Sequence, residues 1–158
     1  MKSIKNLITG IADIIVENLD SGRIIVTGKN GPYNNLETDI RAYSHMLVLL
    51  SKAELIDNQK KYVRSILEIT DKIYYSSKKG KYNYCFRETG KDESNGLIGI
   101  SWLLEGIIAS YTYISDHPII DEISNWLNSY VYSKSENLWK NIAEPNNIIE
   151  ITDFTANH

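Results

Sequence analysis

The sequence predicts an all-α protein made of stacked antiparallel helical hairpins. Apolar residues recur at steps of three and four in five successive segments, which is the spacing of one face of a helix. The segments follow one another at intervals of about 20 residues, and alternate connections are short. Short connections make consecutive helices antiparallel neighbours. A plain four- or five-helix bundle fits the same pattern, because no strict sequence repeat is visible.

The first three helices are predicted from their apolar stripes. Helix one covers residues 3–19, and a short extended piece at 23–27 and a loop rich in Gly and Asn at 28–35 follow it. Helix two begins after the acidic Glu37 and Asp39, where negative charge favours a helix amino terminus. Asp57 or Asn58 is expected to cap helix three, which ends before a turn at 76–80. The stripe of helix one consists of Ile4, Leu7, Ile8, Ile11, Ile14, Ile15 and Leu19.

Helix four, from Leu97 to Tyr111, is apolar nearly all round and is therefore predicted to be the most buried. Gly96, Gly99 and Gly106 predict close helix contact on their side, since glycine otherwise lowers helix stability. Helix five opens at Asp116-His117-Pro118 and its stripe continues to Val131. The periodicity weakens from Ser133 onward, and residues 146–158 form an irregular tail.

Composition and charge are those of a single soluble helical domain spanning residues 1–158. The chain has 42% hydrophobic and 23% charged residues and a formal net charge of -3, so it has no global electrostatic attraction for nucleic acid. No apolar segment reaches the roughly 18 residues of a membrane span. The single Cys85 cannot form an intramolecular disulfide, which fits a reducing, cytoplasmic compartment. Eleven tyrosines and three tryptophans suit partly wet surfaces such as sugar clefts or protein interfaces.

Motifs for metals and cofactors are absent from the sequence. The three histidines, His45, His117 and His158, do not have metal-ligand spacing. No glycine-rich phosphate loop and no G-x-S-x-G elbow occurs. We therefore expect neither a metal nor a cofactor.

A polar segment at residues 87–99 leads directly into helix four and contains the first candidate acids. Asp92 or Ser94 is suited to cap that helix by accepting its first N–H groups. Alternatively, Asp92 or Glu93 points into a cleft as a general acid or base, with a pKa raised by desolvation. Adjacent side chains leave a loop in different directions, so at most one of these two acids is expected to face a substrate.

Glu105 is the second candidate acid, because it is a lone charge among the apolar residues of helix four. A buried carboxylate needs a partner or a polar cavity. Trp102 precedes Glu105 by three residues and shares its face, which is the arrangement of a sugar subsite with a stacking ring and an acid. The alternative is a core tryptophan beside a Glu105 held in a salt bridge.

Helix two carries the candidate substrate contacts Arg41 and His45, four residues apart on one face, with Glu37 one turn earlier. Such a set can bind a carboxylate or a phosphate. A solvent-exposed ladder of helix charges is the alternative.

These segments together resemble the amino-terminal half of bacterial proteins with an (α/α) toroid. The resemblance rests on residues 34–55, on Tyr84-Cys85-Phe86-Arg87, on residues 91–99 and on Trp102-Leu103-Leu104-Glu105. Members include glycoside hydrolases of the six-hairpin type such as the unsaturated uronyl hydrolases, the sugar 2-epimerases and the lanthionine cyclase-like proteins. The cysteine and histidine pattern with which the cyclases bind zinc has no match in this chain.

The resemblance implies a carbohydrate-active, glycoside hydrolase-like protein that acts on or binds a bacterial saccharide. Carried over to this sequence, it implies that Asp92 is the acid–base group, assisted by Glu105. It implies substrate contacts at Arg41, His45, Asn95, Trp102 and Tyr84. The alternative function is a non-catalytic helical interaction or assembly protein, in which the same residues cap helices and form salt bridges.

Length separates this chain from the proteins that it resembles. A closed toroid needs about six or seven hairpins, whereas five helices are predicted here. We therefore expect an incomplete toroid: a truncated product, a fragment, or a subunit whose core is completed by another chain. Its open apolar edge is expected to favour a homo-oligomer or a partner chain, and catalysis is not expected from this chain alone.

Overall fold

A computed structural model describes residues 3–22, 40–79, 95–128, 132–133, 135 and 138–139. The described chain is helical and ends in a small antiparallel ribbon that pairs Tyr132 with Trp139 and Ser133 with Leu138. The all-helical class is therefore confirmed. The ribbon was not predicted, because strands of two residues are too short to show an alternating pattern. The elements are α1 (Ile4–Asp20), α2 (Ile40–Asp57), α3 (Val63–Lys79), α4 (Asn95–Ile114), α5 (Ile119–Trp126), β1 (Tyr132–Ser133) and β2 (Leu138–Trp139).

Helix α2 is the centre of the fold, because it packs against α1, α3 and α4. Its buried side chains, together with those of α3 and α4, form one apolar core. The largest fully buried apolar side chains come from these three helices, from the residue before α3 and from the start of α5: Leu47, Leu50, Tyr62, Ile66, Ile69, Ile73, Leu103, Ile114 and Ile119.

Helices α2 and α4 run in the same direction and approach each other closely. A Cβ atom added to Gly106 of α4 would lie 2.7 Å from the carbonyl oxygen of Ser44 on α2, so only glycine fits there. The Ser51 hydroxyl, two turns after Ser44 on α2, lies 3.1 Å from the hydroxyl of Ser110, which is one turn after Gly106 on α4. Contacts that advance together along both helices mean that α2 and α4 are parallel. The close contact expected at Gly106 is thus confirmed, whereas Gly96 and Gly99 lie outside the described side chains.

Helix α2 turns back into α3 through residues 58–62, and the side chain of Glu54 holds this turn. Glu54 is buried, and its carboxylate oxygens accept the backbone N–H groups of Lys60, at 2.6 Å, and of Tyr62, at 2.8 Å. Asn58 and Lys60 adopt left-handed backbone conformations with φ of 52° and 60°. The expected caps were therefore wrong: Asp57 is the last residue of α2, and Asn58 follows that helix as its left-handed terminator.

Helix α1 begins where the sequence predicts. Ser3 is its N-cap, and the Ser3 hydroxyl oxygen accepts the backbone N–H of Asn6 at 3.3 Å. The predicted single apolar stripe divides into two parts in the structure. The part around Ile15 packs on the core, and the part around Ile4 is exposed to solvent.

Helix α3 ends later than predicted, and helix α5 opens where it was predicted. Helix α3 continues through Lys79, so a turn from 76 onward was wrong. Helix α5 opens directly after Pro118, as expected, and its α-helical part runs to Trp126, whereas Val131, to which its stripe was expected to continue, lies outside the described residues. The His117 ring stabilises the start of α5. Its Nδ1 accepts the N–H of Ile119 at 3.1 Å, and its Nε2 donates to an Asp71 carboxylate oxygen at 3.1 Å.

Helix α4 is less buried than predicted. Over the described side chains, α2 buries more of its surface than α4, and Ile108 and Tyr111 of α4 are exposed. Apolar residues on every side of a helix therefore do not show that every side is buried. Among its described side chains, α4 buries those that face its neighbours and leaves Ile108 and Tyr111 exposed.

Candidate functional site

The structure brings together one pair of the predicted site residues, His45 of α2 and Trp102 of α4. Their ring centroids are 5.8 Å apart and the ring planes are inclined at 53°. His45 is exposed and Trp102 is half-buried, so the pair forms a surface with an aromatic plate at its base. The two residues come from parallel helices, and the glycine contact at Gly106 allows these helices to lie close enough for the rings to meet.

For two further predicted site residues the structure describes the backbone, and two others lie outside the described residues. Arg41 precedes His45 by one turn of α2, and Asn95 is the first residue of α4. Because α2 and α4 are parallel, both residues lie at the same end of the helix pair as His45 and Trp102. The side chains of Arg41 and Asn95 are not among those described, and Tyr84 and Asp92 lie outside the described residues.

Glu105 does not have the environment that the sequence predicted for it. The side chain is exposed, not buried, and among the described residues it forms no salt bridge. The reason is its place on α4: Glu105 lies among the exposed residues of that helix, as Ile108 and Tyr111 do. An exposed carboxylate therefore requires neither the salt bridge nor the polar cavity that was expected for a buried Glu105.

Among the residues that the structure describes, the buried acid is Glu54, which sequence reasoning missed. Its two hydrogen bonds to backbone N–H groups satisfy it as a structural carboxylate. Glu54 also affects a residue of α4. Burial of the Tyr113 hydroxyl and the nearby negative charge of Glu54 both raise the pKa of that hydroxyl above its ordinary value. The available signal was the position of Glu54 in the last turn before Asn58, a residue type that favours left-handed turns.

A second polar cluster joins α1 to the turn before α3. The Lys61 ammonium lies 2.6 Å from Asp13, and the Tyr62 hydroxyl donates to the same carboxylate at 2.8 Å. The hydrogen bond from Lys61 lowers the pKa of Asp13, against the opposing effect of burial. The same bond raises the pKa of Lys61, while burial and the bond to Asp13 raise that of Tyr62. The three groups bond to one another, so the cluster fastens α1 to the turn before α3.

Two properties of the described residues bear on cofactors and membranes. No three His, Cys, Asp or Glu side chains within the described ranges come together as a metal site. Likewise, none of the helices in those ranges is long and apolar enough to cross a membrane.

Comparison with known proteins finds a similarity to a curated protein. The chain is similar to Archaeal glycosylation protein Q of Haloferax volcanii, with 24% identity over an aligned length of 162 positions, and the alignment covers 95% of this chain and 43% of the relative. The chain thus spans less than half the length of that relative. No family model matches the sequence, and no solved structure matches it.

Proposed function

We propose that this chain is a carbohydrate-active helical protein of the (α/α) toroid class, and that it binds a saccharide at the end of the α2–α4 pair where His45 and Trp102 meet. The observation that carries the proposal is the contact between these two rings on parallel helices. A half-buried tryptophan stacks on the C–H face of a sugar ring, and an exposed imidazole beside it hydrogen-bonds hydroxyl or carboxylate groups.

The helix arrangement supports the toroid class. In the described chain α2 and α4 are adjacent and parallel, and α3 packs against both of them from one side. A layer of parallel helices covered by antiparallel ones is the pattern that successive hairpins of a toroid produce. The similarity to a protein named for glycosylation supports carbohydrate as the ligand class.

The charges near the ring pair favour an acidic saccharide. Arg41 precedes His45 by four residues on α2, so the two lie on one side of the helix by their spacing. Basic residue types beside the ring pair attract a carboxylate-bearing sugar more strongly than a neutral one.

The test is calorimetric titration of the chain with a panel of uronate-containing and neutral oligosaccharides. We expect Trp102→Ala and His45→Ala each to weaken binding about tenfold or more, which corresponds to about 1.4 kcal/mol. Tyr75→Ala is the matched control, because Tyr75 is an exposed aromatic residue of another helix, α3, whose described ring contact is with Tyr74. Equal affinity in all three variants, or no binding of any oligosaccharide by the parent chain, would contradict the proposal.

Hydrolysis is a finer proposal that concerns Asp92 and Glu105. We propose Asp92 as the acid–base group and Glu105 as the assisting carboxylate, because glycosidases use two acids. Asp92→Asn is expected to abolish turnover and to leave the melting temperature and saccharide affinity unchanged. A lower melting temperature with unchanged turnover would instead identify Asp92 as a helix cap. Within a partial cleft, turnover is expected only when the remaining helices of a toroid are supplied.

A non-catalytic interaction role is the second candidate function. The exposed apolar residues of α1 and α4 favour it, because such stripes are typical of surfaces that bind another protein. This role predicts that no oligosaccharide of the panel binds, so the same titration distinguishes the two functions.

A further inference from the structure

The link between α4 and α5 contains a histidine whose two ring nitrogens both have partners. The Nδ1 atom of His117 accepts the backbone N–H of Ile119 at 3.1 Å, and Nε2 lies 3.1 Å from a carboxylate oxygen of Asp71 on α3. The ring also stands edge-on to the ring of Tyr74 on α3, with centroids 5.3 Å apart and planes inclined at 88°. His117 thus connects the start of α5 to α3.

These contacts fix the protonation state of the His117 ring. A backbone N–H is always a donor, so the Nδ1 atom that receives the Ile119 N–H carries no proton. An imidazole with no proton on Nδ1 is uncharged and has its single proton on Nε2, where the Asp71 carboxylate accepts it. Both nitrogens of an imidazolium are donors. The charged ring therefore cannot form the bond to Ile119.

Helix α5 depends on this ring for its first hydrogen bond. Its N-cap residue is Pro118, whose side chain does not accept a hydrogen bond from the helix. Ile119 is fully buried, so water cannot replace His117 as the acceptor of the Ile119 N–H. A buried N–H that loses its acceptor is costly. The uncharged form of His117 therefore stabilises the start of α5.

Acidic side chains contact His117 or lie close to it in the chain. From α4 comes the carbonyl of Ile114, which accepts the His117 backbone N–H at 2.9 Å. Carboxylates and the carboxyl end of a helix attract a positive charge, and histidine is the residue type that gains one between about pH 8 and pH 5. The titratable groups are Asp71 and Tyr74 from α3, Asp116 in the link, and Asp121 and Glu122 in the first turn of α5.

We propose that His117 is a pH-sensitive lock on helix α5. The uncharged ring holds the start of α5, and protonation of Nδ1 replaces the acceptor of the Ile119 N–H with a second donor. Asp71 remains bonded to Nε2 in both states, so the ring stays on α3 and α5 moves away from it. A positive charge at the amino terminus of α5 is also unfavourable for that helix. The buried Ile119 and Ile123 become accessible to solvent as a result.

The lock is independent of the saccharide proposal. His117 follows the carboxyl-terminal end of α4, whereas the ring pair of His45 and Trp102 lies toward the amino-terminal end of that helix. Loss of saccharide binding would leave the lock intact, and failure of the lock would leave the ring pair in place.

The experiment follows the His117 ring and the backbone amides by NMR at about pH 7.5 and at about pH 5, which bracket the titration of histidine. Nitrogen-15 shifts of the ring report which nitrogen carries a proton, and hydrogen exchange measures the protection of each amide. At the higher pH we expect an unprotonated Nδ1 and a protected Ile119 amide. At the lower pH we expect a protonated Nδ1 and a loss of protection of about tenfold or more at Ile119 and Ile123. Ile69 in the middle of α3 should keep its protection factor at both pH values.

Two substitutions of His117 isolate the acceptor from the charge. In His117→Asn the side-chain oxygen can accept the N–H two residues later and does not titrate, so α5 should stay protected at both pH values. In His117→Ala the acceptor is absent, so protection of Ile119 should be low at both. The proposal would be overturned by equal α5 protection of the parent chain at the two pH values, or by a protonated Nδ1 at the higher one. It would equally be overturned by full protection in His117→Ala, by a pH-dependent loss that persists in His117→Asn, or by a loss that extends to Ile69.

Discussion

The two ends of the α2–α4 helix pair use their polar groups differently. At the carboxyl-terminal end, Glu54 is saturated by backbone N–H groups, and the Ser51 and Ser110 hydroxyls bond to each other. Ser110 also donates to the carbonyl of Gly106, so the hydrogen of the serine pair comes from Ser51. At the amino-terminal end, His45 is exposed beside Trp102. The carboxyl-terminal end, here called the closed end, therefore holds the fold together, and the amino-terminal end, here called the open end, is the one at which we propose that a ligand binds.

The largest expected effect comes from removing the carboxylate at the closed end. Glu54→Ala leaves the N–H groups of Lys60 and Tyr62 without their acceptor and opens a small cavity, so the free energy of unfolding should fall by about 3 kcal/mol. Urea denaturation measures this loss. Glu105→Ala is the control, because its carboxylate is exposed, and a change within about 0.5 kcal/mol is expected. Similar losses in both variants would mean that the two acids do not differ as their environments indicate.

A smaller effect is expected at Gly106, where α2 and α4 are in close contact. Gly106→Ala places a methyl group against the Ser44 carbonyl, so α2 and α4 must separate, at a cost of about 2 kcal/mol in unfolding free energy. In Gly10→Ala the new methyl group meets open space on α1, and stability should instead rise by up to about 1 kcal/mol through helix propensity. Thermal unfolding compares the two variants. A stabilising Gly106→Ala would show that the helices are not in tight contact.

The smallest effect concerns the ion pair that fastens α1 near the closed end. Both charges are about half exposed, so Lys61→Ala should cost less than about 1 kcal/mol at neutral pH. Asp13 has a pKa lowered by Lys61, so the pair contributes above the unfolded value of about 3.9 and is lost as pH falls through the lower folded value. The stability difference between parent and variant should therefore close as the pH falls below about 4. A difference that persists at pH 2 would show that Lys61 contributes through packing.

The helices could be predicted from the sequence because their signals are local. The start of α1 depends on Ser3 and on the apolar residues that follow within a few turns, and Pro118 similarly marks the start of α5. The true ends of α3 and α5 depend on tertiary contacts, which do not leave a local pattern.

Glu54 and Glu105 show what the sequence could not reveal about the site. Both acids lie in apolar helices, and only the neighbours of each helix decide which one is buried. For Glu54 the deciding partners are backbone groups six and eight residues later, in a turn whose left-handed residues bring them back. For Glu105 the deciding fact is that its side of α4 is exposed to solvent. The prediction that His45 and Trp102 line one site remains a prediction, but their contact across two helices is more than the sequence alone could establish.

The buried serine pair limits how the helix pair can move. A shift of α4 along α2 by one turn, about 5.4 Å, would separate the Ser51 and Ser110 hydroxyls and bring a side chain other than glycine against the Ser44 carbonyl. Sliding of the two helices is therefore blocked in both directions. The ligand that we propose for the His45–Trp102 ring pair would consequently meet two helices that respond by rotating side chains or tilting, and not by sliding past each other.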